Sequence, residues 1–267
     1  MGIHPLRSIG TTGFRLVTIG SALLVAFLLV TAIGTLFLVP ETDDILDNLW
    51  SAEMRFSLKL SLLTGVLSTA LVMLFALPIG YALSRFQFPL KGLVKTVLDL
   101  PIAFPELVLG LCLLLLFGNS FLGSLFSALG LDFVFTKQGI VVAQFFTALP
   151  YAGRILKSTF DYVDPKLEFV SRSLGYSVWE TFRNVSLPLA KNGILAAAVI
   201  SFARCIGTFG TVLILAGGTY MKTEVLPITL YLNISYGNMG MALTSGIVLT
   251  VVSFVAIYFF ERAEVGL

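Results

Sequence analysis

Apolar residues dominate six stretches of the 267-residue chain, roughly 16–39, 57–84, 97–117, 139–157, 190–216 and 242–260. A helix needs about 20 residues to cross about 30 Å of hydrocarbon, and these runs are of that order. Lipid offers no partner for an open backbone, so each run is expected to be helical. The third is the most interrupted: Asp99, Pro101, Pro105 and Glu106 fall in its first half. A bend is expected there, with that half buried against other helices. The first run, about Val17 to Val39, exceeds the apolar core of about 7–15 residues in a cleaved signal, and reads as a retained span.

The polar residues between the fourth and fifth runs follow another pattern. Asp164-Pro165 predicts a helix start, with Asp accepting from free N–H groups and Pro in the first helical position. Leu167, Val170 and Leu174 form one apolar stripe, and Gly175 suits a left-handed C-cap. Ser177 and Glu180 have the spacing of a capping box, opening a second short helix with Trp179, Phe182 and Val185 on its apolar face. Pro188 is expected to close it. The segment 169–190 therefore predicts two short helices hinged at a glycine, either an amphipathic linker on the bilayer surface or an element that lodges in a partner.

The stretches 129–135 and 216–240 read as external loops or short interfacial elements, and Leu226-Pro227 is expected to break any helix in the second. No tandem repeat or low-complexity segment occurs. Residues 1–267 thus form a single transmembrane domain, with a polar loop over 158–189.

Composition fixes the class. Hydrophobic residues make up 57% and charged residues 12%, against about 25% charged in soluble domains. The expectation is an all-α integral membrane protein with six transmembrane helices. With the N-terminus inside, the cytoplasmic side carries twelve cations: Arg7, Arg15, Arg85, Lys91, Lys95, Arg154, Lys157, Lys166, Arg172, Arg183, Lys191 and Arg262. The other side carries four, Arg55, Lys59, Lys137 and Lys222, with the acids Glu41, Asp43, Asp44 and Asp47. That asymmetry puts both termini in the cytoplasm. A formal net charge of +2 gives no case for nucleic acid. Cys112 and Cys205 read as small core residues, and with His4 as the single histidine there is no metal cluster. No nucleophile–base set stands out, so no catalytic residue is assigned and the chain is not read as an enzyme.

Gly175, nine residues, then Val185, Ser186, Leu187 and Pro188 reproduce the spacing of the loop signature of permease subunits of binding-protein-dependent ABC importers. Phe169, Val170 and Ser171 stand where that signature begins Glu-Ala-Ala, with Glu168 one position early. The stretch "DLPIAFPELVLGLCLLLLFG" at 99–118 resembles the third-helix pattern of the molybdate, tungstate and sulfate branch. "AVISFARCIGTFGTVLILAGG" at 198–218 is similar to its fifth-helix motif, with Thr208 in place of an acid, and "KTEVLPITLY" at 222–231 resembles its molybdate and tungstate members.

The resemblance covers roughly 55–260 and implies a type I importer permease fold. It implies no cofactor in this subunit, ATP and Mg bound by two partner ATP-binding subunits, an extracytoplasmic oxyanion-binding protein, and a second permease copy forming a homodimer in the cytoplasmic membrane. The cargo it implies is molybdate or tungstate, with sulfate or thiosulfate as the alternative. An ion-coupled secondary transporter would instead show inverted repeats with paired broken helices. The coupling residues it implies are Glu168, Arg172, Gly175, Trp179, Phe182, Leu187 and Pro188, with Trp179 and Phe182 anchoring in the motor.

Arg204 sits well inside the fifth run, where a charge costs about 2.5–3.5 kcal/mol on insertion scales and marks function by default. It either faces a central path or pairs with Asp99, Glu106 or helix-end carbonyls. Gly207, Thr208 and Gly210 are candidates for close packing or for contact with an ion, and Glu106 needs an ion pair or a raised pKa.

Overall fold

The computed structural model describes residues 6–38 and 42–265. His4 and Glu41 lie outside the described residues, as do the side chains of Arg7, Asp43 and Asp44. Most of the described residues are helical, with no strand among them.

Helix α1 (Leu6–Leu38) is apolar and exposed over most of its described side chains and touches the last helix, while α2 (Thr42–Leu49) precedes α3 (Ala52–Arg85), which Ser51 caps by accepting from the Met54 N–H at 3.1 Å. α4 (Lys91–Ala103) and α5 (Glu106–Asn119) occupy the expected third span. The expected bend is present, and at 116° it is sharp enough to split 97–117 into two helices. Pro105 explains the break: it steers Phe104 into an extended conformation, and the chain restarts at Glu106.

α6 (Phe121–Ala128) is a short helix absent from the sequence reading, and α7 (Lys137–Tyr162) follows the loop at 129–135. α3 and α7 form the centre of the bundle. Their contact carries small residues, and a Cβ on Gly80 would lie 2.7 Å from that of Leu156. Buried hydroxyls and amides tie the same interface, with Ser68 donating to Gln144 Oε1 at 2.8 Å. Small residues and internal polar pairs are how helices associate where water supplies no hydrophobic drive.

The polar loop holds α8 (Pro165–Ser173), α9 (Val178–Thr181), a π-helical turn (Phe182–Ser186) and α10 (Leu187–Leu189). It bends by 73° into α11 (Lys191–Ile206). The expected fifth span, 190–216, ends early: α11 stops at Ile206, and α12 (Gly210–Ala216) resumes after Gly207, Thr208 and Phe209.

α13 (Leu226–Ser235) corrects the reading of 216–240. Pro227 starts this helix rather than breaking it, because the first turn needs no N–H from proline. The first turn of the helix is buried: Leu226 N–H donates to Ser61 Oγ at 2.8 Å, and Thr229 Oγ1 donates to Ser57 Oγ at 2.7 Å. α14 (Met239–Val265) completes the fold. Cys205 is buried as expected, whereas Cys112 is exposed on α5.

Glu224, just ahead of α13, is 1% exposed. Burial pushes its carboxyl above the ordinary value of 4.5; the Met221 N–H partly opposes this and neighbouring Glu53 adds to it. A raised folded-state pKa means the folded protein binds more protons than the unfolded chain. Stability therefore falls as pH rises from about 4.5 through the folded value. Glu224→Gln is expected to raise the melting temperature in detergent at pH 8 and to leave it unchanged at pH 4, as a thermal-shift series checks.

Candidate functional site

The local signals at the two helix starts and at the glycine hinge are present. Asp164 Oδ1 accepts from the Lys166 N–H at 2.9 Å, and Gly175 has φ +98°, a left-handed conformation that strains any side chain. Ser177 Oγ accepts from the Glu180 N–H at 3.2 Å, while Glu180 Oε2 accepts from the Ser177 N–H at 2.8 Å. That last bond holds the Glu180 carboxyl below its usual value.

Pro188 does not end the helix as expected; the helical path continues to Leu189. A proline clashes with the carbonyl four residues back and gives it no N–H. Here the turn just before it widens, with the Leu187 N–H donating to the Phe182 carbonyl, five residues back.

The polarity of this loop is inverted. Ser171 is the buried residue of α8, bonded at 3.1 Å to Thr181, and Glu168 also turns inward. Leu167, Phe169, Val170, Leu174, Tyr176 and Trp179 are all exposed, Trp179 by 67%. The stripe Leu167, Val170, Leu174 thus faces outward. Phe182 corrects another expectation: its ring packs inward on Tyr81 at 4.7 Å, so it fixes the loop to the bundle, and Trp179 stacks on its outer side at 5.6 Å. Arg172, Gly175 and Pro188 are exposed and Leu187 is half-buried.

Glu168 is the node beneath this surface. Its Oε1 accepts from Arg85 Nε at 2.9 Å and from Ser186 Oγ at 2.7 Å. Arg85 Nη2 also donates to the Val163 carbonyl at 2.6 Å, and the two charged side chains are only 10% and 13% exposed. One ion pair thus joins the end of α3, the α7–α8 link, α8 and the π turn. Sequence reasoning counted Arg85 only as a cytoplasmic charge, and missed Ser186 and Tyr81; a lone Arg at the end of an apolar helix was the available signal.

A second cluster lies at the α11–α12 break. Arg204 Nη2 donates to Glu106 Oε1 at 2.8 Å, and its guanidinium lies 5.2 Å from the ring centre of Tyr151, near the midpoint of α7. Glu106 Oε2 accepts from the Phe209 and Gly210 N–H groups at 3.2 and 3.0 Å. Gly210 permits this approach, since a Cβ there would meet Glu106 Cβ at 3.0 Å. Thr208 is buried and donates to the Arg204 carbonyl at 2.7 Å, while Gly207 is exposed. The five sequence candidates at this site are therefore brought together, and Glu106 is the partner Arg204 takes. Asp99 instead pairs with Arg154 at 2.9 Å. The Arg204 and Glu106 side chains remain 35% and 27% exposed.

Residues 76–264 match the family described as binding-protein-dependent transport system inner membrane component. The molybdate/tungstate transport system permease protein WtpB of Thermococcus kodakarensis is 35% identical over 216 residues, covering 80% of this chain and 81% of the relative. The sulfate transport system permease protein CysW of Synechococcus elongatus is 34% identical over 184 residues, covering 68% of this chain and 64% of the relative. Among solved structures, a bacterial alginate ABC transporter in complex with its alginate-pentasaccharide-bound periplasmic protein contains a chain similar at TM-score 0.71 and 17% identity. The alignment covers 96% of this chain and 94% of that one. The inward-facing MetNI methionine ABC transporter gives TM-score 0.61 at 19% identity, covering 81% and 98%.

Proposed function

The chain belongs to the family of binding-protein-dependent transport system inner membrane components, and from that premise we propose that it is the permease subunit of an ABC importer for a tetrahedral oxyanion. Molybdate or tungstate is the first reading of the cargo. Sulfate is the second, favoured by the likeness to CysW at nearly the same identity. The permease hydrolyses nothing; two partner subunits bind ATP and Mg, an external binding protein delivers the anion, and a second copy of this chain completes the path. It sits in the cytoplasmic membrane with both termini inside.

The observation that carries the reading is the inverted loop. An exposed apolar patch calls for a partner, and Trp residues recur at the centres of such contacts. The patch here is backed by a nearly buried ion pair that fixes it to α3, so motion of a docked motor reaches the spanning helices directly. Trp179 with Phe169 and Leu174 docks, Arg172 lies beside them, Gly175 sets the angle between α8 and α9, and Leu187-Pro188 carries the loop into α11. Phe182 and Glu168 hold it from within.

The Arg204–Glu106 cluster supports the anion path. A charge pair about one-third open near the midplane is not stable against hydrocarbon, so this face fronts water or the second copy. Arg204 attracts the anion, while Gly207, Thr208 and Gly210 shape the break. In liposomes holding the permease, its ATPase and its binding protein, ATP-dependent uptake of radiolabelled molybdate is expected, with sulfate and tungstate as competitors. Absence of ATP-dependent uptake of all three sinks the reading.

A further inference from the structure

We propose that Glu106 is a resident counter-anion which an arriving oxyanion displaces from Arg204, so that the path passes a dianion without retaining it; this rests on the oxyanion reading above. The two oxygens of Glu106 have separate duties. Oε2 is held by the Phe209 and Gly210 N–H groups, and the Glu106 carbonyl accepts from Thr211 Oγ1 at 3.0 Å. Close packing of Gly210 on Glu106 Cβ adds to this, so the carboxylate is fixed by α12 whatever Arg204 does. Oε1 alone meets Arg204.

Arg204 is held far less firmly. Its bond to Glu106 is one-pronged, and its Nε is buried with no hydrogen-bond partner. A guanidinium carries five N–H donors in a planar fork and binds oxyanions best through two of them. Glu106 therefore neutralises Arg204 without using that capacity. A swing over the Tyr151 face frees the Nε–Nη edge for a tetrahedral oxyanion, and Oε1 loses its single contact while Oε2 keeps both of its own.

The consequence is electrostatic. With Glu106 fixed beside it, the site carries no net charge, and the carboxylate repels a bound dianion a few ångströms away. Contact with Arg204 is thus brief, and Glu106 recaptures the guanidinium as the anion leaves.

Glu106→Gln tests this, because its amide oxygen still accepts from Phe209 and Gly210 while the charge is gone. Equilibrium dialysis would use the permease–ATPase complex in nanodiscs, with radiolabelled molybdate and sulfate as probes and no binding protein. Removing one charge beside a dianion at an effective dielectric of about 20 predicts about tenfold or greater retention of anion. The gain should vanish in Glu106→Gln/Arg204→Gln, and uptake turnover in the single variant should slow. Glu106→Ala carries the same expectation if the Gln variant does not assemble. Equal retention by wild type and both neutral variants, or a gain that survives loss of Arg204, overturns the proposal. Wild-type uptake measured in parallel separates the two failures: uptake with no gain sinks this inference alone, and no uptake of either anion sinks the oxyanion reading with it.

Discussion

Arg85→Ala is expected to leave ATP hydrolysis running in the reconstituted complex while anion uptake falls by at least tenfold. Removing one partner of a buried ion pair costs about 3–5 kcal/mol, because the other charge is left unpaired. Here the orphaned group is Glu168, and its way out is to drag α8 toward water. That loosens the loop by an amount that, at 1.4 kcal/mol per tenfold, is enough to spoil transmission. The exposed side chains of the docking patch, Trp179 first, are all retained, so the motor is expected still to bind and hydrolyse. Arg85→Lys should recover only part of the loss, since an ammonium cannot serve Glu168 and the Val163 carbonyl with one planar fork. Parallel assays of phosphate release and uptake check both variants; coupled, wild-type-like activity in Arg85→Ala would show that this pair does not carry the stroke.

Arg204→Ala should have the complementary effect: uptake at least tenfold lower, with ATPase docking intact. The substitution removes the cation near the midplane and leaves Glu106 as a net negative charge that repels the cargo. Two bonds still hold that carboxylate, so the break between α11 and α12 should survive. Uptake assays alongside co-purification check this. Unchanged uptake would make Arg204 a structural partner of Glu106 and nothing more.

What was legible in the chain, and what was not, follows from the range of each interaction. Asp164 with Pro165, Gly175, and Ser177 with Glu180 act over two or three positions, so their sequence spacing already states their geometry. Glu168 was a misplaced acid in a family signature until Arg85, 83 positions away, gave it a partner. Arg204 and Glu106 stand 98 positions apart, and the sequence could pose their pairing but not choose it. Thr208 replaces an expected acid, yet a carboxylate is present at that break, supplied from α5. Pro188 and Pro227 read as stops in the sequence, but a widened turn accommodates the first and a helix start the second. The outward aim of Leu167, Val170 and Leu174 was also hidden, because periodicity gives a stripe and not the side on which the bundle lies.

If the loop over 158–189 seats a soluble motor, co-purification of the tagged chain in mild detergent tests it most directly, wild type against Gly175→Pro with Trp179→Ala. Proline fixes φ near −65° where the chain needs +98°, and alanine removes the most prominent exposed ring. A stoichiometric ATP-hydrolysing subunit is expected with the wild type and is expected to be lost from the variant, both permeases remaining monodisperse. Equal retention by the two, or no such subunit with the wild type under conditions that preserve ABC complexes, would contradict it.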